Sequence, residues 1–277
     1  MRPLLAVDGD SFAHRAYHAL PTSIRLADGR PANALDGFMS MLVRLWQAER
    51  PRAVVVGWDT LEVPTYRHEL FPGYQAGRVF DEALLEQLDL LPGLAASAGI
   101  VCGKAAGYEA DDFLAAAVAR ERAAGGATLV ATSDRDAFQL AGPDVTILQP
   151  KRGVSLLDRV GPEQVRERYG VEPEQVPDFI ALRGDPSDRI PGARGVGERT
   201  AAELLRRYAS LEELLADGRF AEEAERLRLY RRIATLDPAA PLPPLPDREP
   251  DWAAAAGHAR ALGFERLATR LAAAAAG

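Results

Sequence analysis

One cysteine, Cys102, stands in 277 residues. That scarcity excludes an intramolecular disulfide framework and a cysteine-built zinc site, and leaves Cys102 as a small buried hydrophobe. Histidine is nearly as rare: His14, His18, His68 and His258 are scattered singly, and each reads as structural rather than catalytic. No apolar run approaches the roughly 20 residues that cross a bilayer. The amino terminus also lacks the succession of basic segment, apolar core and cleavage site that marks an exported chain. A cytoplasmic protein with no membrane partner is the expectation. Net positive charge is missing as well: 40 Asp and Glu against 33 Lys and Arg give −7, which at first argues against a nucleic-acid partner. The sum misleads if many acids gather in one place and cations neutralise them there.

What is present is the profile of a soluble globular chain, 47% hydrophobic and 26% charged. The first half alternates strand and helix. "PLLAVD" (3–8), "RAVVVGWD" (52–59) and "ATLVATSD" (127–134) are short apolar runs separated by helical patterns such as "NALDGFMSMLVRLWQAE" (33–49), and weaker strands are suggested at 99–105 and 144–149. Apolar strands alternating with helices predict an α/β fold with a mostly parallel central sheet flanked by helices. After about residue 155 the strand pattern disappears and short helices follow. The segment 237–251, "DPAAPLPPLPDREPD", reads as a linker or extended wrap, with a final alanine-rich helix or pair beyond it.

The three best strands each end in an aspartate: Asp8, Asp59 and Asp134. In a parallel sheet the carboxyl ends share one edge, where ligands bind. A helix predicted to begin near Glu109 would bring Glu109, Asp111 and Asp112 to that edge, with Glu109 and Asp112 about 60° apart around its axis. Asp136 follows Asp134 at an alternating position. Like charges a few Å apart repel by roughly 4 kcal/mol per pair at an effective dielectric near 20. Hard carboxylate oxygens without His or Cys nearby suit Mg²⁺ or Mn²⁺, and two such ions about 4 Å apart are the arrangement that displaces an oxygen at phosphorus.

A second signal lies at "LRGDPSDRIPGARGVGERTAAELLRRY" (182–208). It adds Asp185 and Asp188. It also sets Gly192, Gly195 and Gly197 ahead of a helix, with Arg189, Arg194, Arg199, Arg206 and Arg207 around them. Glycines before a helix let backbone amides approach a phosphate at the positive helix end, so this stretch reads as a backbone contact to nucleic acid.

With these stretches in hand the chain resembles the 5′-nuclease family, which includes flap endonucleases and the 5′→3′ exonuclease domain of bacterial DNA polymerase I. The resemblance covers residues 4 to about 215 and runs through "LLAVDGDSFAHRAYHALP", "TYRHELFPGYQAGR", "GYEADDFLAA", "TSDRDAFQL" and "LRGDPSDRIPGARGVGERTAAELL" in family order. It implies a PIN-like nuclease core at 1–155, with an arch at about 66–90 that admits the 5′ single strand. A helical duplex-binding region would follow at 156–236, containing a helix–two-turn–helix element, and then the carboxy-terminal segment 237–277.

The resemblance further implies a two-metal site, with Asp8, Asp59, Glu109, Asp111 and Asp112 in a first cluster and Asp134, Asp136, Asp185 and Asp188 in a second. Arg78 would serve catalysis beside them, and a potassium ion would sit at the glycine-rich turn. The implied DNA contacts are Arg15, Phe38 (core or stacking), Arg67, Tyr74 (stacking or packing), Gln75, Arg78, Gly192, Arg194, Gly195, Gly197, Arg199 and Thr200. Most relatives carry a lysine where this chain has Gln75, and often an aromatic in place of Asp36.

The leading expectation is therefore a stand-alone, monomeric 5′ nuclease acting on DNA flaps, nicks or gapped duplexes in replication and repair. A structure-specific DNA-binding protein with weak or no activity is the second reading, and an RNA-directed nuclease of the PIN type the third.

Overall fold

The structure, a computed structural model, describes residues 2–152 and 156–276. Its centre is a six-stranded sheet in the order β3-β2-β1-β4-β5-β6. The strands are β1 (Leu4–Asp8), β2 (Ala53–Gly57), β3 (Val101–Gly103), β4 (Thr128–Ala131), β5 (Val145–Arg152) and β6 (Leu156–Val160). The first five run parallel, and β6 pairs antiparallel with β5. Around the sheet lie α1 (Gly9–Ala19), α2 (Asn33–Glu49), α3 (Tyr66–Leu70), α4 (Glu82–Ser97), α5 (Ala110–Ala123) and α6 (Pro162–Tyr169). The remainder are α7 (Val176–Arg183), α8 (Glu198–Arg207), α9 (Leu211–Ala216), α10 (Ala224–Ala234), α11 (Trp252–Ala261) and α12 (Glu265–Ala275).

Alternation along β1 divides the core in two. Leu5 and Val7 point to a layer built by α1, α2, α4, α11 and α12, whereas Leu4 and Ala6 point to one built by α5 to α10. Parallel strands need helical crossovers, so both faces are covered and the strand sequences are apolar throughout. The amino-terminal strands and helices lie where the periodicity puts them. β6 was not anticipated. Its sequence, "LLDRV", carries two charges in five residues, and as a strand paired only with β5 it lacks the continuous apolar signal of the central strands.

Segment 237–251 contains no helix or strand and runs from the second core, where Ala240 and Leu242 are buried, towards the first. Arg52 Nη1 donates to Leu245 O at 3.0 Å, Arg120 Nη2 to Leu242 O at 2.7 Å, and Asp251 N to Ala98 O at 2.8 Å. It delivers α11 and α12 back onto α4 and α2, where Trp252 packs edge-on against Trp46. Asp36 on α2 is buried beneath α12, and Arg270 donates to its Oδ1 at 2.9 Å. Asp36 therefore anchors the terminal helices. Phe38 is fully buried with its ring 5.2 Å from that of Trp58, so of its two expected roles the structure assigns the core one.

Candidate active site

The sheet reverses direction of growth at β1: β2 and β3 extend one way, β4 and β5 the other. In open α/β sheets this switch point opens a crevice beyond the carboxyl ends of the strands. Asp8 is the last residue of β1 and caps α1, its carboxylate accepting Ser11 N at 2.9 Å and the Thr132 hydroxyl at 2.7 Å. Because Thr132 directly follows β4, this contact ties the two strands at the crevice.

Asp59 lies two residues beyond β2 and accepts the N–H of Ala110, the first residue of α5, at 2.7 Å. Gly57 makes that approach possible, since a Cβ there would stand 2.3 Å from Ala110 O. Glu109 caps α5, accepting from the Thr65 and Tyr74 hydroxyls at 3.0 and 2.9 Å. On the other side, Asp134 accepts Asp136 N at 2.8 Å, and Asp185 accepts Ser187 N at 2.8 Å and Arg183 Nη2 at 3.2 Å.

The resulting cleft, about 560 Å³, is lined by Asp8, Asp59, Glu109, Asp111, Asp134, Asp136, Asp185 and Asp188, with Gln75, Tyr74 and Arg78 along one wall. Asp112, assigned to the same cluster from helical spacing, is the exception. It is fully buried behind the cleft, and Arg67 grips it with two contacts of 2.8 Å while Asp237 N adds a third at 2.9 Å. Arg67 is correspondingly a correction to the expected phosphate contacts. It is 1% exposed, donates to Ile233 O, and lies 3.3 Å from Glu109 and 3.7 Å from Asp111. An internal guanidinium thus offsets part of the repulsion that the sequence assigned wholly to metal. Tyr74 is also buried, leaving its ring no face for a base, so it packs rather than stacks.

Burial drives several of the cleft acids towards protonation. Asp8 is pushed up to about 7 by loss of solvent, against the lowering effect of its Ser11 and Thr132 contacts. Glu109 also rises to about 7, with Arg67 opposing. Asp188 rises to about 6, with the Gln75 amide opposing. Asp111 and Asp136 are held well above the usual carboxylate range, again chiefly by burial.

Among the described residues no three His, Cys, Asp or Glu side chains already close into a metal-binding shell. The donor set nonetheless fits hard cations. Nine carboxylates share one cleft, and buried Asp111 Oδ1 has no hydrogen-bond partner.

Four residues of the cleft escaped the sequence reading. Asp10 is 7% exposed and accepts the N–H of Asp59 at 2.7 Å; its signal was the alternation Asp8-Gly-Asp10 at a strand end. Arg135 and Arg183 line the second cluster; in sequence Arg135 stands between Asp134 and Asp136, and Arg183 two residues before Asp185. His14 lines the cleft against Phe80, and its pKa is pushed down to about 4 by burial.

The glycine-rich stretch forms a separate surface. Gly192 has φ +75 and a Cβ there would meet Gly184 N at 2.5 Å, so the fold itself demands glycine. Gly195 also has positive φ. Gly197, the cap of α8, has φ −97 and open space where a Cβ would go, so nothing within the described chain demands glycine there. Arg194, Arg199 and Thr200 are exposed beside it, whereas Arg15 is half-buried on α1 and does not line the cleft.

Residues 3–170 match the family "5′-3′ exonuclease, N-terminal resolvase-like domain", and residues 171–248 match "5′-3′ exonuclease, C-terminal SAM fold". DNA polymerase I of Mycobacterium leprae (strain TN) is 44% identical over 214 residues, which are 76% of this chain and 23% of that protein. The chain thus spans about a quarter of the length of the polymerases it matches. A 5′-3′ exonuclease of Mycobacterium tuberculosis (strain ATCC 25618 / H37Rv) is 36% identical over 248 residues, 82% of this chain and 77% of that one. In three dimensions the chain resembles T5 D15 protein co-crystallised with metal ions, with a TM-score of 0.70 at 17% identity over 99% of this chain and 100% of that one. It also resembles the catalytic core of Rad2 in complex with DNA substrate, with a TM-score of 0.60 at 15% identity over 98% and 90%.

Proposed function

Because the chain belongs to the 5′-3′ exonuclease family, we propose that it is a structure-specific 5′ nuclease that hydrolyses DNA phosphodiesters at flaps, nicks or gaps during replication and repair. The observation that carries this reading is the convergence of nine carboxylates, from the end of β1, the starts of α1 and α5, the segments after β2 and β4 and the turn at 185–188, in one cleft at the sheet's switch point.

Asp8, Asp59, Glu109 and Asp111 would hold one divalent cation and Asp134, Asp136, Asp185 and Asp188 a second, Mg²⁺ and Mn²⁺ being the ions such oxygens favour. Bound there, the cations would lower the pKa of an attacking water and offset charge on the leaving oxygen. Arg67 and Asp112 form the fixed base on which the first group of acids stands. Arg78, on the cleft wall, supplies positive charge at the reacting phosphate. Lys104 pairs with Glu62 at 3.3 Å and does not line the cleft. The turn at 192–197 with Arg194, Arg199 and Thr200 would grip the duplex backbone, and its clustered backbone groups are where the same reading puts a potassium ion. The enzyme would act as a cytoplasmic monomer.

A DNA-binding protein without cleavage is the second reading, favoured by Gln75 standing where most relatives have lysine. Incubating a labelled 5′ flap with Mn²⁺ separates the two. Release of a flap fragment by incision at the junction is the expected result, whereas binding without products would favour the binder. Faster cleavage of an RNA flap than a DNA flap would favour the RNA-directed nuclease.

A further inference from the structure

We infer that Gln75 is a positioning residue that acts through Arg78, fixing that guanidinium over the acidic cleft by tying it to Asp188 and Tyr74. The kinetic half of this inference rests on the nuclease reading above; the geometric half does not.

A glutamine side chain has two N–H hydrogens and a carbonyl oxygen to satisfy. At Gln75 all three groups are engaged. Nε2 donates to Asp188 Oδ1 at 2.9 Å and to the Tyr74 hydroxyl oxygen at 3.0 Å, while Oε1 accepts from Arg78 Nη1 at 2.9 Å. The amide fits one way round only. Flipped, its oxygen would face a carboxylate and its hydrogens a guanidinium. Tyr74 passes the connection on, donating to Glu109 Oε2 at 2.9 Å, so this one side chain joins the arch to an acid of each cluster.

The backbone is committed as well. Gln75 N donates to Asp188 O at 3.2 Å, and the residue sits at φ +46, a left-handed conformation that a side chain other than glycine adopts when surrounding contacts over-determine it. Arg78 is held from its other side by the Phe80 ring, 5.3 Å from the guanidinium carbon, and Phe80 rests on His14 of α1.

A neutral amide suits this place because it is both donor and acceptor. A lysine could donate to Asp188 but offers Arg78 nothing to donate to, and a glutamate could accept from Arg78 but would repel Asp188. Of these three side chains glutamine satisfies both neighbours, so its contribution to cleavage is carried by where Arg78 points.

The test is a double-mutant cycle with Gln75→Met, Arg78→Met and the double variant, read as single-turnover cleavage of a 5′ flap in Mn²⁺. We expect Arg78→Met to slow cleavage about 10²-fold and Gln75→Met about 10-fold, with the double variant no slower than Arg78→Met within about twofold. Effects that multiply in the double variant would show that Gln75 acts independently of Arg78 and overturn the inference. A crystal structure of Gln75→Met supplies the readout that needs no activity. The Arg78 guanidinium should leave its place over Phe80, and an unmoved Arg78 overturns the inference. Should the wild type cleave no flap, the nuclease reading fails, while the crystal structure still decides the role of Gln75.

Discussion

The two halves of the acidic cleft are built differently. Asp8, Asp59, Glu109 and Asp111 stand on the ends of β1, β2 and α5, and behind them Arg67 and Asp112 form an ion pair closed to solvent. Asp134, Asp136, Asp185 and Asp188 stand on connecting segments. The second pair lies in a turn closed by reciprocal 2.8 Å bonds between Asp185 and Ile190, and the cations lining this half, Arg135 and Arg183, are exposed and partly exposed, Arg183 lying 3.2 Å from Asp185. The first half carries its own counter-charge. The second depends far more on what enters from solvent, and on Gln75 reaching across from the segment between α3 and α4. On the proposed reading an acidic total is compatible with a nucleic-acid substrate, because cations would neutralise the clustered acids while Arg194 and Arg199 stand exposed on a separate surface.

Four outcomes would break or sharpen that contrast. The largest is catalytic. Asp134→Ala should reduce flap cleavage below detection while flap affinity changes less than about threefold, because the acids and the glycine-rich turn are separate surfaces; comparable cleavage by mutant and wild type would refute the assignment. Next is stability. Arg67→Met leaves Asp112 as an uncompensated buried charge and should cost about 3–5 kcal/mol in urea unfolding, whereas Arg183→Met beside the second cluster should cost about 1 kcal/mol or less. Equal costs would erase the distinction between the halves.

The third outcome is a pH dependence. Asp8 and Glu109 have folded-state values near 7, above those of the unfolded chain near 4, so their contribution to stability is full below about pH 4 and is lost as pH rises through about 7. Thermal midpoints without cations should thus fall between about pH 5.5 and about pH 8. Mn²⁺, which binds the deprotonated carboxylates, should raise the midpoint more at the higher pH. An equal Mn²⁺ shift at both values would detach the cleft from metal binding. The smallest effect concerns the other surface: Arg199→Ala should weaken flap binding severalfold and reduce the slope of affinity against salt by about one unit, leaving the Mn²⁺ shift unchanged.

Legibility in the sequence followed the strength of the local signal. The strands β1, β2 and β4 were plain because a parallel sheet buried on both faces demands unbroken apolar runs, and their terminal acids followed from the shared edge. β6 was not legible, since pairing with β5 tolerates charges such as Asp158 and Arg159. Helical spacing placed Asp112 beside Glu109 correctly around the axis, yet spacing does not reveal what lies on the far side of a helix. Arg67 does lie there, supplied by α3, and it turns an apparent ligand into an internal ion pair.

Residue types and their order were enough to determine an α/β sheet, an acidic edge suited to hard cations, and a glycine-rich turn before a helix, because each follows from hydrogen bonding and burial over a few neighbouring residues. Which acids face the cleft, which arginine is sealed beneath them, and that Gln75 bonds to Asp188 were decided only by tertiary structure. Those outcomes depend on which distant side chain fills the space opposite, and a charge removed from water accepts whatever partner the fold brings within about 3 Å.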